Sequence, residues 1–389
     1  MNMVFSKSSK SNPIKVLLVA PNFHTAIGIL ARYIIKNCPD IDFFIVDANE
    51  AIRFSERFVR LVDSVDVVHW LANLSNTPFL DANLPANLPC PSVATVHHLA
   101  PGESDKLGAA KVADVIHVSC KEWLDYITLR TTTPVHMAYY PIDIGRFAGN
   151  RSVRPRHLHE PLQIGFLGMG SLFERKRLDV LLAGLALLDV ANERFQLWAH
   201  GLHWPDVTVP GDAVHLLKFV SFRENWRVYA DFDVYVCVSD IEGGPLTVLE
   251  SLASQVPVIS TPVGLAPEVL AHGGGLLINK DSPEALAEAL RRLMHDPGLY
   301  QRLQCETLPA VQAFNTSVNE QYLALYTTAI GVWEDKHHTN WAHKSSLGRW
   351  VVRLQRFIEF GRDWLVEAKY LRVLKQRSAI HHVSLNEIR

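Results

Sequence analysis

The chain has 389 residues, 48% of them apolar, enough to bury a large core and most naturally divided into about two domains of ordinary size. Its formal net charge of −2 argues against a general nucleic-acid binder, which would show a strong basic excess. Five cysteines, Cys38, Cys90, Cys120, Cys237 and Cys305, stand apart without a C-x-x-C pair, which points to reduced thiols and a cytoplasmic setting rather than a disulfide framework or zinc knuckle. The polar start MNMVFSKSSKSNP lacks the apolar core of a signal peptide, and no run of 18 apolar residues suggests a membrane span.

In chain order, short β-branched runs alternate with helix-length intervals. The first series is Lys15–Ala20, Phe43–Val46, Asp66–Trp70, Ser92–Val96 and Val115–Ser119. A polar stretch, Ala148–Pro161, reads as a linker. Beyond it come Leu162–Leu167, Phe195–Ala199, Val234–Val238, Val256–Ser260 and Gly275–Ile278. Continuous apolar strands at this spacing indicate parallel sheets covered on both faces. The expected architecture is α/β: two doubly wound Rossmann-like domains, 1–150 and 151–330, facing a central cleft, with a helical extension over 331–389. Ligands of such sheets collect outside the carboxyl ends of the strands.

The stretch "SDIEGGPLTVLES", 239–251, leaves the strand Val234–Val238. Pro245 suits the first position of a helix running to about Ser254, and Gly243 and Gly244 let backbone amides approach an anion at that helix start. Were both glutamates helical, Glu242 and Glu250 would lie about 12 Å apart along the axis. Hydrolytic glycosidases keep their carboxylate pairs roughly 5 Å or 6.5–9.5 Å apart, so these two are better placed to grip separate parts of one extended ligand. The plainer reading makes Glu242 a turn cap and Glu250 a solvated helix residue.

The longer block "SDIEGGPLTVLESLASQVPVISTPVGLAPEVL", 239–270, resembles the core signature of retaining GT-B glycosyltransferases of the family 4 type: E-x7-E, a small-residue helix, a P-V strand and a G-x-x-P-E turn. "FLGMGSLFERKRLDVLLAGLALL", 166–188, resembles the family's donor-phosphate segment, and "ADVIHVSCKEWLDYI", 113–127, with "YYPIDIGRF", 139–147, the close of its N-terminal domain. The resemblance covers about residues 14–330. It implies transfer of a sugar from a nucleotide diphosphate sugar to a glycan or lipid-linked acceptor with the anomeric configuration kept, in cell-surface polysaccharide or glycoconjugate synthesis, without a cofactor or metal. It also implies that Glu242 meets the donor sugar, that Glu250 takes the ribose hydroxyls, and that Gly243, Gly244, Pro245, Leu246 and Thr247 line the donor.

Charge must also be supplied where the leaving diphosphate gathers it. The family commonly uses G-R-L-x-x-x-K; here Lys176 matches, but Ser171 stands at the arginine position, so Arg175 or Arg177 is expected to replace it. In the N-terminal half, Gly28 is the one glycine in the loop Asn22–Gly28 that the family makes glycine-rich. His97 and His98 end a strand on opposite faces, with His98 the choice for the donor sugar. His69 reads as structural.

Competing motifs are thin. "GFLGMGS", 165–171, does not complete G-x-G-x-x-G. Asp40/Asp42 and Asp231/Asp233 form D-x-D pairs that lead into strands instead of leaving them, and His200-x-x-His203 lacks acidic or cysteine company, so no metal ligands are assigned.

The charge is uneven along the chain: residues 336–389 hold 11 Lys/Arg against 4 Asp/Glu, a net +7, which leaves −9 for residues 1–335. Over 347–377 Leu347, Trp350, Val351, Leu354, Phe357, Ile358 and Leu365 form a helical apolar stripe, with Arg349, Arg353, Arg356 and Arg362 elsewhere on the surface. Such a helix can pack on protein or lie peripherally at the inner face of a membrane. Two alternatives to a transferase remain: a GT-B-type sugar-nucleotide epimerase and a non-catalytic sugar-nucleotide-binding protein.

Overall fold

The computed structural model describes residues 12–337 apart from 22–24, 53–54, 72–87, 100–106, 109, 149–159, 170–172, 190, 203–212 and 222–223. The expectations for Ser171, His203 and the basic tail 347–377 therefore lie outside the described residues.

The first half contains strands β1 (Ile14–Ala20), β2 (Ile41–Asp47), β3 (Val67–Trp70), β4 (Ser92–Thr95), β5 (Val115–Val118) and β6 (Val135–Met137). Between them run helices α1 (Ala26–Asn37), α2 (Ala48–Ile52), α3 (Glu56–Ser64), α4 (Lys121–Thr128) and α5 (Ile144–Phe147). The strands form one parallel sheet in the order β2-β1-β3-β4-β5-β6. Helix α1 starts where Thr25 Oγ1 accepts the Gly28 amide at 3.1 Å, satisfying an amide that has no partner within the helix.

The second half holds β7 (Leu162–Met169), β8 (Phe195–Leu202), β9 (Val214–Lys218), β10 (Val234–Cys237), β11 (Val258–Ser260) and β12 (Gly275–Leu277). Its helices are α6 (Phe173–Lys176), α7 (Leu178–Ala186), α8 (Leu246–Ala253), α9 (Ala266–Leu270), α10 (Pro283–His295), α11 (Pro297–Asn315) and α12 (Val318–His337). This sheet is also parallel, in the order β12-β11-β10-β7-β8-β9. The order reverses between β7 and β10, the place where doubly wound sheets open a crevice for ligands.

All ten strands expected from the apolar runs are present. Two that form, β6 and β9, were not expected: each is half-exposed at a sheet edge, so neither carries the continuous apolar run that marks a strand covered on both faces. Helix α8 begins at Leu246, one residue later than expected, with Pro245 as its cap at ψ 91°.

Helix α12 crosses from the second half to the first. Residues 318–330, read by sequence with the second domain, pack on the first sheet: Tyr322 and Tyr326 are fully buried against it, and Asn319 donates to Asp40 at 2.8 Å. The Tyr326 hydroxyl lies 2.9 Å from His69 Nδ1, and His69 Nε2 lies 2.7 Å from Thr95 Oγ1. Thr95 Oγ1 in turn lies 2.9 Å from His117 Nδ1, and His117 Nε2 lies 2.8 Å from the Ala138 carbonyl. The carbonyl can only accept, so every proton in the chain points one way, from Tyr326 towards Ala138, with both imidazoles neutral. Burial lowers both histidines from their usual range, which agrees with that state. His69 is thus structural, as its sequence context suggested.

A single apolar core joins the first sheet, α12 and α8; a second fills the opposite face of the second sheet under α7, α10 and α11. No helix among the described residues is long and apolar enough to cross a membrane.

Candidate active site

A cavity of about 340 Å³ lies between the two sheets at their carboxyl ends. Segments after β1, β4, β7 and β10 and the start of α8 line it, and Glu242 and Glu250 both reach its wall.

Glu242 sits on the turn after β10. Its Oε1 accepts from Lys176 Nζ at 2.5 Å and from Ser239 Oγ at 3.0 Å, while Oε2 accepts from Arg175 at 2.8 Å. Burial works to raise this carboxyl, but the Lys176 and Arg175 charges overcome it and hold Glu242 at about 2. Both cations come from the short α6, whose backbone is tied to the same turn: Asp240 donates its amide to the Arg175 carbonyl at 2.9 Å, and Arg175 Nη1 reaches the Ile241 carbonyl at 2.9 Å. Of the two candidates for the missing arginine, Arg175 lines the cavity. Arg177 has left-handed backbone at φ 53° and binds Asp179, Asp240 and Asp281, which ties α6 to the turn before α10.

Glu250 follows eight residues later, inside α8, and has a different environment. Its carboxyl accepts from Asn225 Nδ2 at 2.9 Å and from the Tyr229 hydroxyl at 2.7 Å, both on a 3-10 segment, Asn225–Asp231. Burial pushes Glu250 up to about 7 against the opposing pull of Tyr229, Asn225 and the Arg146 charge. It is 3% exposed, so the reading of it as a solvated helix residue is not what the fold shows.

Gly243, Gly244, Pro245, Leu246 and Thr247 all line the cavity. The two glycines also serve a purpose the sequence did not suggest. A Cβ on Gly243 would run into the His97 carbonyl, and one on Gly244 into the Tyr140 ring, so the small residues let the first half of the chain close onto the turn. Thr247 Oγ1 accepts from the Tyr235 hydroxyl at 2.8 Å.

His97 and His98 both line the cavity. His97 Nε2 donates to the Leu71 carbonyl at 2.7 Å, which leaves Nδ1 to accept from the Tyr140 hydroxyl at 2.6 Å. His98 is half-buried at the same strand end. Gly28 lies in the first turn of α1 and does not line the cavity; its neighbours Ala26 and Ile27 do. Asn225 and Tyr229 went unnoticed in the sequence, where nothing in "NWRVYAD" marks them as partners of Glu250.

Among the described residues, no group of three or more His, Cys, Asp or Glu is placed to hold a metal ion. Asp233 instead accepts the Gln163 amide at 3.0 Å, and Asp40 pairs with Asn319.

The family model described as Glycosyl transferases group 1 matches residues 153–307. The amylovoran biosynthesis glycosyltransferase AmsK of Erwinia amylovora is 27% identical over 180 residues, 42% of each chain. The putative teichuronic acid biosynthesis glycosyltransferase TuaC of Bacillus subtilis (strain 168) is 44% identical over 64 residues, 16% of each chain. The matches thus span less than half the length of either relative. Among solved structures, HepE of Anabaena with UDP-glucose superposes with TM-score 0.62 at 14% identity, covering 81% of this chain and 100% of that one. Sucrose-phosphate synthase from Thermosynechococcus elongatus gives 0.60 at 17% identity, covering 81% and 98%.

Proposed function

With a glycosyl transferases group 1 domain as its second half and a GT-B fold overall, we propose that this chain is a retaining, metal-independent glycosyltransferase. It moves a hexosyl unit from a nucleotide diphosphate sugar to a glycan or lipid-linked acceptor in polysaccharide or glycoconjugate synthesis. The observation that carries this reading is the Glu242 carboxylate held between Lys176 and Arg175 on the wall of the inter-sheet cavity, with Glu250 further along the same wall. Lys176 and Arg175 supply fixed positive charge beside the α8 amino end, where a diphosphate is also favoured by the helix dipole.

In the proposed reaction the bond from the anomeric carbon to the diphosphate oxygen breaks and its electron pair leaves on the diphosphate, while an acceptor hydroxyl oxygen bonds to that carbon from the same face and gives its proton to the leaving diphosphate. Lys176 and Arg175 stabilise that charge, the term that usually contributes most to such transfers. Glu242 stays ionised far below neutral pH and faces the positive charge that develops on the sugar. His98 borders the sugar side, and Glu250 with Asn225 offers acceptors and a donor to ribose hydroxyls. A sugar-nucleotide epimerase would turn over donor without any acceptor, and a binding protein would not turn it over at all. The relatives' names place AmsK and TuaC in amylovoran and teichuronic acid synthesis, which supports a cell-surface polymer as the acceptor class.

The test is a thermal-shift panel of uridine, guanosine and adenosine diphosphate sugars, followed by NMR of the product formed with the best ligand. A stabilising sugar nucleotide and a product with the donor's anomeric configuration are expected. Inversion, or turnover of donor to its epimer without an acceptor, would overturn the proposal.

A further inference from the structure

The amino end of α4 meets the Glu242 turn from the opposite half of the chain without lining the cavity. Trp123 Nε1 donates to the Glu242 carbonyl at 2.8 Å, and the indole is 6% exposed. Glu122 Oε2 accepts the Gly264 amide at 2.9 Å, and Glu268 Oε1 accepts the Lys121 amide at 2.8 Å. The last two bonds are reciprocal. Each half offers a carboxylate to the other half's backbone, and Glu268 satisfies the first amide of α4, where the helix dipole favours an anion. Gly264, at φ 53°, packs so closely on the Glu242 and Gly243 carbonyls that a Cβ would collide with both.

We infer that Trp123 is a positioning residue for Glu242: α4 fixes the peptide of the carboxylate-bearing residue from the far side of the cleft, with Glu122 and Glu268 keeping the indole in place. The inference rests on the proposed role of Glu242 but concerns residues that do not line the cavity. The physical reason is the turn's own weakness. Glu242 lies outside any helix or strand, so on the second half its turn is held by its own side chain and by single bonds to the carbonyls before it, from Arg175 to Ile241 and from Lys280 to Asp240. Bonding the carbonyl of the same residue to Trp123 removes the remaining rotation, and carboxylate placement follows. Without the indole N–H a buried carbonyl loses its donor, the turn relaxes, and the alignment of reacting groups suffers, while contacts to base and diphosphate stay on the second half.

The experiment uses the full chain with UDP-, GDP- and ADP-glucose, comparing wild type, Glu242→Gln, Trp123→Phe and Glu268→Gln, together with hydrogen exchange of the unliganded proteins. On the sugar nucleotide that wild type turns over fastest, Trp123→Phe is expected to lower kcat about tenfold or more with the donor KM changed by less than about threefold. Glu268→Gln, which keeps an acceptor oxygen but loses the charge, should lower kcat by about threefold. Exchange should quicken in residues 239–247 of Trp123→Phe and stay unchanged in α10. Wild-type kcat in Trp123→Phe, a rise in KM alone, or unchanged exchange at 239–247 would overturn the inference. Should Glu242→Gln itself keep full turnover, the proposed function fails instead; in that case, or should wild type turn over none of the three donors, the exchange comparison alone decides the role of Trp123.

Discussion

The two glutamates of E-x7-E line one cavity yet live in opposite electrostatic worlds. Glu242, on a turn, is as buried as Glu250 but has two cations within hydrogen-bonding distance and is held at about 2. Glu250, on a helix, accepts from an amide and a phenol and feels the Arg146 charge, yet burial outweighs them and it rises to about 7. Burial is common to both, so the sign of each shift is set by the partners. The contrast separates a charged end of the site, the β10 turn with α6, from the Glu250 end, where the carboxyl accepts from neutral donors.

Removing a cation tests this contrast most severely. Lys176→Ala should reduce kcat by roughly 10²–10³-fold, the scale for loss of one preorganised charge donor, measured as initial rate with the preferred donor. A loss below threefold would break the assignment of the charged end. Next comes Gly243→Ala. The added methyl has the His97 backbone in its path, and overpacking of this kind costs about 1–3 kcal/mol, so the variant should melt lower and bind nucleotide diphosphate more weakly in calorimetry. An unchanged melting temperature would mean that the two halves do not meet at this turn.

The Glu250 end has a pH signature. Its folded-state value of about 7 lies above the ordinary 4.5, so the folded chain holds a proton that the unfolded chain releases. The stability this contributes is fully present below about 4.5 and is lost as pH rises through about 7. Glu250→Gln should flatten the fall in melting temperature between pH 5 and pH 8, read by differential scanning calorimetry; an identical pH profile in the variant would contradict the buried, raised carboxyl. Glu242 runs the other way: its contribution is present above about 4.5 and is lost as pH falls towards about 2. The smallest effect belongs to Arg177→Ala. Three carboxylates occupy that guanidinium at the margin of the site, so kcat should stay within about twofold of wild type, with at most about 1 kcal/mol of stability lost per ion pair. A loss matching that of Lys176→Ala would move the missing arginine's role from Arg175 to Arg177.

Much of this was legible in the sequence, for identifiable reasons. Strands covered on both faces announce themselves as unbroken apolar runs, which is why β1, β7 and β10 could be read directly, whereas the edge strands β6 and β9, wet on one side, could not. The E-x7-E block fixed which turn and helix carry the carboxylates because both lie within 13 consecutive residues. Long-range partners left no such trace. Nothing in "KEWLD" shows that Trp123 will bond to a carbonyl 119 positions away, or that Tyr229 will reach Glu250. The choice between Arg175 and Arg177 likewise depended on three aspartates, two of them distant in sequence. The glycine pair was recognised as a place of close approach, but what the fold brings against it is the other half of the chain, the His97 backbone and the Tyr140 ring.

The most direct test of the central claim is a crystal structure of the chain with whichever of UDP, GDP or ADP stabilises it most. The account predicts the terminal phosphate within hydrogen-bonding distance of Lys176 Nζ and the Arg175 guanidinium, at the mouth of α8, with the ribose beside Glu250. A nucleotide bound elsewhere, or phosphates seated away from both cations while Glu242 keeps them, would contradict it.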